Sequence, residues 1–447
     1  MKITPPSWIG LRVVGSAGFG VDRIDDHASG VWCIGEGDPL AIVVPFQTGV
    51  EQLLADVRLR SLLAGRSLAY LGHAASVLAD GRHSLDALVL SPEFRWRCAF
   101  GPQHGMRGEK QDNMVESDDY VNSEWGLPVY SLYGTTRRPT SQMLDGVDVV
   151  LVDLQDLGCR IYTFATTLLY MMEESAARGI AVWVLERPNP AGRPIEGLSL
   201  QAGWESFVGH LPTPMRHGLT LGELGRFLID RKRLDLEYRV VGMQGWTPDD
   251  APGYGWPLGA RCWVNPSPNA PQLSMARCYS GTVLLEGTHL SEGRGTTRPL
   301  EMVGAPDLDG RAWVDAMQRM LPPSWLAGCM LRPCYFQPTF QKYQGKVCSG
   351  FQIHCDGPDY RHDLFRPFRL VSGALWTLRR LRPDYAIWRD FPYEYETDRL
   401  AFDLISGSDR LRRWVDDPSS QPDELELVLK EEELAWRDLS ERYRSAT

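Results

Sequence analysis

Five short apolar runs, at 67–71, 96–100, 129–132, 147–154 and 180–185, recur through the first half of the chain. Helix-spaced stretches separate several of them, at 84–90 and 161–177, and leucines at helical spacing over 53–63 precede the first. Runs this short and this uniformly apolar read as strands buried on both faces. Two such strands joined by a helix require a crossover, so the pattern predicts βαβ units and a parallel sheet covered on both sides. Polar residues collect just after the runs: His73 and Ser76, Gln103 and His104, Tyr133, Asp153 and Asp156, Glu186 and Arg187. Open α/β sheets bind ligands outside the carboxyl ends of their strands. The site is therefore expected there.

The second half changes texture. Thr220-Leu-Gly-Glu223 is a capping box opening a helix that runs to about 230, and 237–243 reads as a further strand. A breaker-rich tract over 247–271, with Trp256, Trp263 and Asn265-Pro-Ser-Pro-Asn269, marks the crossing into a second domain along a proline-stiffened path. Beyond it come helices near 311–320, 364–381, 401–414 and 423–443, with a strand at 350–354. A chain of 447 residues exceeds one typical core. The expected fold class is α/β, with a Rossmann-like parallel-sheet domain over 46–262 and a smaller α+β domain over 263–447. Residues 1–45 alternate glycines with short apolar runs and are expected to add a few antiparallel strands.

Charge and cysteine content remove several classes of function. A net charge of −10 argues against a nucleic-acid groove. No run approaches the roughly 20 apolar residues that span a bilayer, and residues 1–15 do not have the pattern of a secretory signal. Nine cysteines without a CxxC pair support neither a disulfide framework nor a zinc site, which makes a reduced, cytoplasmic protein the default. Gly15, Gly18 and Gly20 lack the spacing of a dinucleotide fingerprint, and no phosphate-cradling loop occurs at a strand-to-helix turn. No cofactor and no metal are expected, and no feature specifies an oligomeric state.

The richest chemistry lies in Gly101-Pro-Gln-His-Gly-Met-Arg-Gly108 and the residues up to Asp112. Glycines and a proline give it the composition of a loop leaving a buried strand. Gln103, His104, Arg107, Glu109 and Asp112 put an amide, an imidazole, a guanidinium and two carboxyls within ten residues. A solvated glycine-rich connector has the same composition, so the loop alone does not decide.

Together with other blocks it resembles the NamZ-type exo-β-N-acetylmuramidases. The further matching blocks are Leu127-Pro-Val-Tyr-Ser-Leu-Tyr-Gly134, Asp153-Leu-Gln-Asp-Leu-Gly158 with Tyr162-Thr163, and Glu186-Arg-Pro-Asn-Pro190. Later ones are Met215-Arg-His-Gly218, Asn265-Pro-Ser-Pro-Asn269, Leu285-Glu-Gly-Thr288 and Ser291-Glu-Gly-Arg-Gly-Thr-Thr-Arg-Pro299. The likeness runs from about residue 50 to the C-terminal region. It implies a cleft between a Rossmann-like domain and a smaller one, and release of N-acetylmuramic acid from the non-reducing end of peptidoglycan fragments. The family's first block usually reads Gly-Pro-Glu-His-Gly, with the glutamate as the proposed catalytic carboxyl. Here that position is Gln103, and an amide does not exchange a proton as an acid near neutral pH. Two readings follow: a glycosidase with altered acid–base chemistry, or a catalytically silent or diverged sugar-binding homologue.

Most glycosidases use two carboxyl groups, but an N-acetyl sugar can attack its own anomeric carbon through the acetamide oxygen. That route still needs an acid for the leaving oxygen and a group to orient the acetamide. Gln103 suits the second task. Candidates for the first are Glu109, Asp112 and Glu116 near the loop, Glu286 and Glu292 from the other half, and His104, each with a plain structural role as its alternative. Arg107, Arg160, Arg294 and Arg298 suit the lactyl carboxylate of muramic acid or ordinary ion pairing. Tyr133 and Tyr162 stack on a sugar or finish the core. Asp153 and Asp156, just after a strand, bind a metal, order the cleft or serve structure, and the lack of a compact His/Asp cluster beside them favours structure; Asn269 and Thr296 fall within matching blocks as sugar ligands. All of this requires 101–116 and 286–298 to face one another across a shared pocket.

Overall fold

Every residue of strand β1 (Ser67–Gly72) after Ser67 is buried, and the strand is paired on both edges. A strand with no solvent-facing side chain takes a central place in a covered sheet. In the computed structural model, which describes residues 45–108, 110 and 114–445, β1 is joined by β2 (Arg95–Gly101), β3 (Tyr120–Asn122), β4 (Leu127–Ser131), β5 (Val149–Asp153), β6 (Ala181–Leu185) and β7 (Tyr238–Val241). The order is β3-β4-β2-β1-β5-β6-β7, parallel throughout except for β3, which pairs antiparallel to β4 at the edge. The chain moves outward from β1 through β2 to β4, then returns to place β5 on the other side of β1. This reversal makes the topological switch point at which open α/β sheets usually bind ligands.

Here the switch point is filled by protein. The His73 ring accepts from the backbone N–H of Gln155 at 2.9 Å. Asp153, at the end of β5, is fully buried and bound by Arg187 through Nε at 2.5 Å and Nη2 at 3.0 Å, with the Tyr70 hydroxyl donating at 3.0 Å. In this network the Asp153 carboxylate is already committed to Arg187 and Tyr70. The cavity that does open lies beside this network, lined by the loops after β2 and β5.

The second sheet is antiparallel, with β8 (Met302–Ala305), β9 (Met330–Phe336) and β10 (Cys348–His354) in the order β8-β10-β9. Helices Gly310–Met320 and Pro367–Leu381 pack beside it, and Trp313 meets Phe351 edge-on at 5.1 Å. The mixed α/β class with a large, mostly parallel sheet and a smaller C-terminal sheet is as the sequence pattern predicts. One hydrophobic cluster nonetheless runs from Ala69 to Tyr443. The last long helix, Pro422–Ser440, closes it by setting Trp436 edge-on against Phe227 at 5.0 Å and donating from the indole to the His217 carbonyl.

Two expected helices are each broken once. The 53–63 stretch splits at Asp56, whose extended backbone (ψ 107°) ends one helix while its side chain caps the next through Arg58 N–H. The 401–414 stretch splits at Gly407, left-handed at φ 93°, a conformation glycine adopts without steric cost. Periodicity does not register such single-residue interruptions. The short strands expected over 1–45 lie outside the described residues except for Pro45. Among the described residues no helix is long and apolar enough to cross a membrane.

Candidate active site

The loop after β2 turns at once. Gly105 N–H donates to the Pro102 carbonyl at 2.8 Å, and His104 and Gly105 are both left-handed, at φ 70° and 74°. Left-handed backbone disfavours a residue with a Cβ, so His104 stores strain that the surroundings must hold. The turn buries Gln103, whose Oε1 accepts from the Thr163 hydroxyl at 2.8 Å. Its Nε2 donates to Glu394 Oε1 at 3.2 Å. From the adjacent strand, Tyr133 lies two residues past the end of β4 and donates its hydroxyl to Glu394 Oε2 at 2.8 Å. Glu394 and Tyr395 are themselves left-handed, at φ 46° and 71°. Two of the three strained non-glycine residues, His104 and Glu394, line the same cavity, and Tyr395 follows directly.

The opposite wall comes from the 3-10 turn Val283–Gly287 and the glycine-rich loop after it. Glu286 accepts from Arg294 Nη2 at 2.5 Å and from the Tyr393 hydroxyl at 2.7 Å. Arg294 also pairs with Glu292 at 3.3 Å, and Lys342 closes the chain by meeting Glu292 at 2.8 Å. Burial would raise the Glu292 carboxyl, but the two cations outweigh it and hold it below the usual range.

Gln103, His104, Tyr162, Thr163, Glu286, Arg294, Tyr393 and Glu394 line one cavity of about 40 Å³, with Tyr279 and Ser267 beside them. Residues from 101–116 and 286–298 therefore share a pocket. A depression of about 510 Å³ lies elsewhere, among His289, Asp307, Tyr343 and Tyr385. It is larger, but it has no comparable set of buried carboxyl, amide and guanidinium groups facing one another. The small cavity is therefore the candidate site.

Within it Glu394 stands out electrostatically. Burial pushes its carboxyl up to about 7, and the negative Glu286 adds to the effect. Hydrogen bonds from Tyr133 and Gln103, with Arg137 farther off, only partly offset this. Among the described residues it has no ion pair. The His104 Nδ1 lies 3.0 Å from the Lys110 carbonyl, so that nitrogen carries a proton and donates it there. The Tyr162 hydroxyl is buried with no hydrogen-bond partner among the described residues.

Other residues singled out by the sequence lie elsewhere. Asp153 belongs to the filled switch point. Asp156 accepts from Gly158 N–H at 2.6 Å and is pushed up to about 7 by burial, 4.0 Å from His217. Arg107 is exposed and covers the Tyr120 ring at 4.5 Å. Arg160 is buried and donates to the Ile405 carbonyl, while Arg298 pairs with Glu301 and Asp356. The Thr296 hydroxyl donates to the Gly293 carbonyl at 2.6 Å, holding its own loop. Asn269 is buried but does not line the cavity. Glu116 is exposed and accepts from Tyr395. Glu109 and Asp112 lie outside the described residues. Conversely, Tyr393 and Glu394 are not among the residues that the sequence pattern points to, because Phe391-Pro-Tyr-Glu-Tyr-Glu396 falls between elements and outside the family-like blocks. Its alternation of aromatic and acidic residues behind a proline was the available signal.

Two family models match end to end: the N-terminal part of exo-beta-N-acetylmuramidase NamZ over residues 68–274, and its C-terminal part over 277–445. The peptidoglycan beta-N-acetylmuramidase NamZ of Bacillus subtilis (strain 168) is 35% identical over 376 residues, covering 84% of this chain and 85% of the relative. A crystal structure of a DUF1343 family protein from Bacteroides fragilis NCTC 9343 superposes with a TM-score of 0.77 at 27% identity, over 90% of this chain and 99% of that one. A second protein of that family and organism, at 24% identity and a TM-score of 0.67, covers 89% of this chain and 98% of its own, and shares the fold.

Proposed function

The chain belongs to the exo-β-N-acetylmuramidase NamZ family, and on that premise we propose that it is a glycoside hydrolase acting on peptidoglycan fragments. The finer reading is that it releases N-acetylmuramic acid, or a related N-acetylated sugar, from their non-reducing end. The observation that supports it is the meeting of Gln103, Glu394, Glu286 and Arg294 in one buried cavity, drawn from segments nearly 300 positions apart. The acetamide of such a sugar is an internal nucleophile that needs orienting rather than replacing. Gln103 and Tyr162 offer an amide and an unpartnered hydroxyl for that purpose. At about 40 Å³ the cavity holds a water rather than a pyranose ring, so sugar binding displaces part of the wall.

The test is release of sugar from a chromogenic N-acetylmuraminide and from a muramyl disaccharide. Turnover well above that of heat-inactivated protein supports the reading; none on either substrate removes it. A second reading, a silent sugar-binding protein, is favoured by one residue, Gln103, which cannot act as an acid. Calorimetry separates the two, because N-acetylmuramic acid binding without turnover on either substrate is what the silent protein would give.

A further inference from the structure

If Gln103 cannot give up a proton, the leaving oxygen must receive one from another group in the same cavity. His104 commits its Nδ1 to the Lys110 carbonyl at 3.0 Å within its own turn. Glu286 is already engaged by a guanidinium at 2.5 Å and a tyrosine hydroxyl at 2.7 Å. Glu394 differs in kind. It is 4% exposed, lines the cavity, and has no cation bonded to it among the described residues. Its two oxygens are gripped from two separate strand ends, by Gln103 and by Tyr133. Left-handed backbone at Glu394 and Tyr395 is strained and persists only when the surroundings fix it. A carboxyl held in this way keeps one orientation in the cavity.

We infer that Glu394 is the catalytic acid that protonates the glycosidic oxygen, with Gln103 and Tyr133 as the positioning residues that aim its carboxyl. The inference rests on the glycosidase reading above. In the first step the Glu394 carboxyl gives its proton to the glycosidic oxygen as the C1–O bond breaks, and the aglycone leaves as a neutral alcohol. The acetamide oxygen of the same sugar supplies the electron pair to C1. In the second step water adds its oxygen to C1, releases the acetamide, and returns a proton to the Glu394 carboxylate. One water is consumed and the enzyme ends as it began.

The charged and titratable groups around Glu394 are Tyr133 and Arg137 from beyond β4, His104 from the loop after β2, Tyr162 and Tyr279, Glu286 with its Arg294 across the cavity, and Tyr393 on its own strap. Burial and Glu286 together favour the protonated carboxyl up to about pH 7, which is the form an acid catalyst needs.

The experiment compares two leaving groups in the wild type and in Glu394→Gln: a muramyl disaccharide, whose sugar alcohol needs a proton to depart, and a nitrophenyl muraminide, whose phenolate does not. For E394Q, kcat on the disaccharide should fall roughly 10²–10⁴-fold, the usual contribution of a general acid, with less than about a tenfold loss on the nitrophenyl substrate. Equal losses on both substrates would mean a structural role and overturn the inference, as would no loss on either. A wild type inactive on both substrates would instead remove the glycosidase reading itself. Should E394Q not fold, as judged by thermal unfolding, the wild-type pH profile decides. The disaccharide kcat/KM must fall above about pH 7 while the nitrophenyl kcat/KM does not; parallel profiles contradict the assignment.

Discussion

Gln103 Nε2 and Glu394 Oε1 lie 3.2 Å apart, although 291 positions separate the two residues in the chain. The contact ties the loop after β2 to a strap that precedes helix Ala401–Ser406. Replacing Gln103 by Glu puts two carboxyls at hydrogen-bond distance, where they share a proton because both cannot ionise readily. The Q103E variant should therefore titrate in two widely separated steps, and its kcat/KM on the disaccharide should persist to higher pH than that of the wild type. Its melting temperature, relative to wild type, should drop more at pH 8 than at pH 5. An unchanged pH profile would show that the two side chains are not in contact.

Tyr162 carries a buried hydroxyl without a partner among the described residues. An unsatisfied hydroxyl in the core costs about 1–3 kcal/mol. Tyr162→Phe should leave the free protein as stable or slightly more stable while raising KM about five- to tenfold, the equivalent of one lost hydrogen bond of roughly 1 kcal/mol. Calorimetric unfolding and steady-state kinetics on the same preparation test both halves.

Asp153 is predicted to matter for stability and not for substrate. Its pair with Arg187 is buried, and removing one partner of a buried pair typically costs about 3–5 kcal/mol. Burial alone would raise the Asp153 carboxyl, yet the Arg187 guanidinium prevails and holds it below the usual range. Asp153→Asn should lower the denaturant midpoint strongly with KM unchanged.

Glu186 gives a pH dependence of opposite sign from an ion-paired acid. Burial, with Glu223 close by, pushes its carboxyl up to about 8 from an ordinary 4.5. The folded state thus binds a proton that the unfolded state has released between these values. Stability is fully present below about 4.5 and is lost as pH rises through about 8. Glu186→Gln should remove part of that loss, so its advantage over wild type in thermal unfolding should grow from pH 5 to pH 9. Equal shifts at both pH values would contradict the assignment.

Much of this architecture was legible in the sequence, for identifiable reasons. Fully buried strands such as β1, β5 and β6 announce themselves as short unbroken apolar runs, and Thr220 with Glu223 announces a helix start. Edge strands do not: β3 has three residues, and β9 alternates exposed and buried side chains around Pro333. The site was half legible. Gln103, Glu286 and Arg294 stand in glycine-punctuated loops whose composition signals chemistry. Glu394 does not, because what distinguishes it is a buried setting made by Tyr133 and Gln103, and neither lies near it in sequence. Asp153 misleads for the converse reason. It follows a strand as a ligand-binding residue would, but its partner Arg187 reaches it from the end of the neighbouring strand.

The most direct measurement is a crystal structure of the protein with N-acetylmuramic acid bound. The account predicts the sugar between Gln103, Arg294 and Glu394, with the Glu394 carboxyl within hydrogen-bond distance of the anomeric oxygen and the strap around Tyr393 displaced to admit the ring. Sugar bound in the depression beside His289 and Tyr385, with the Gln103–Glu394 contact undisturbed, would contradict it.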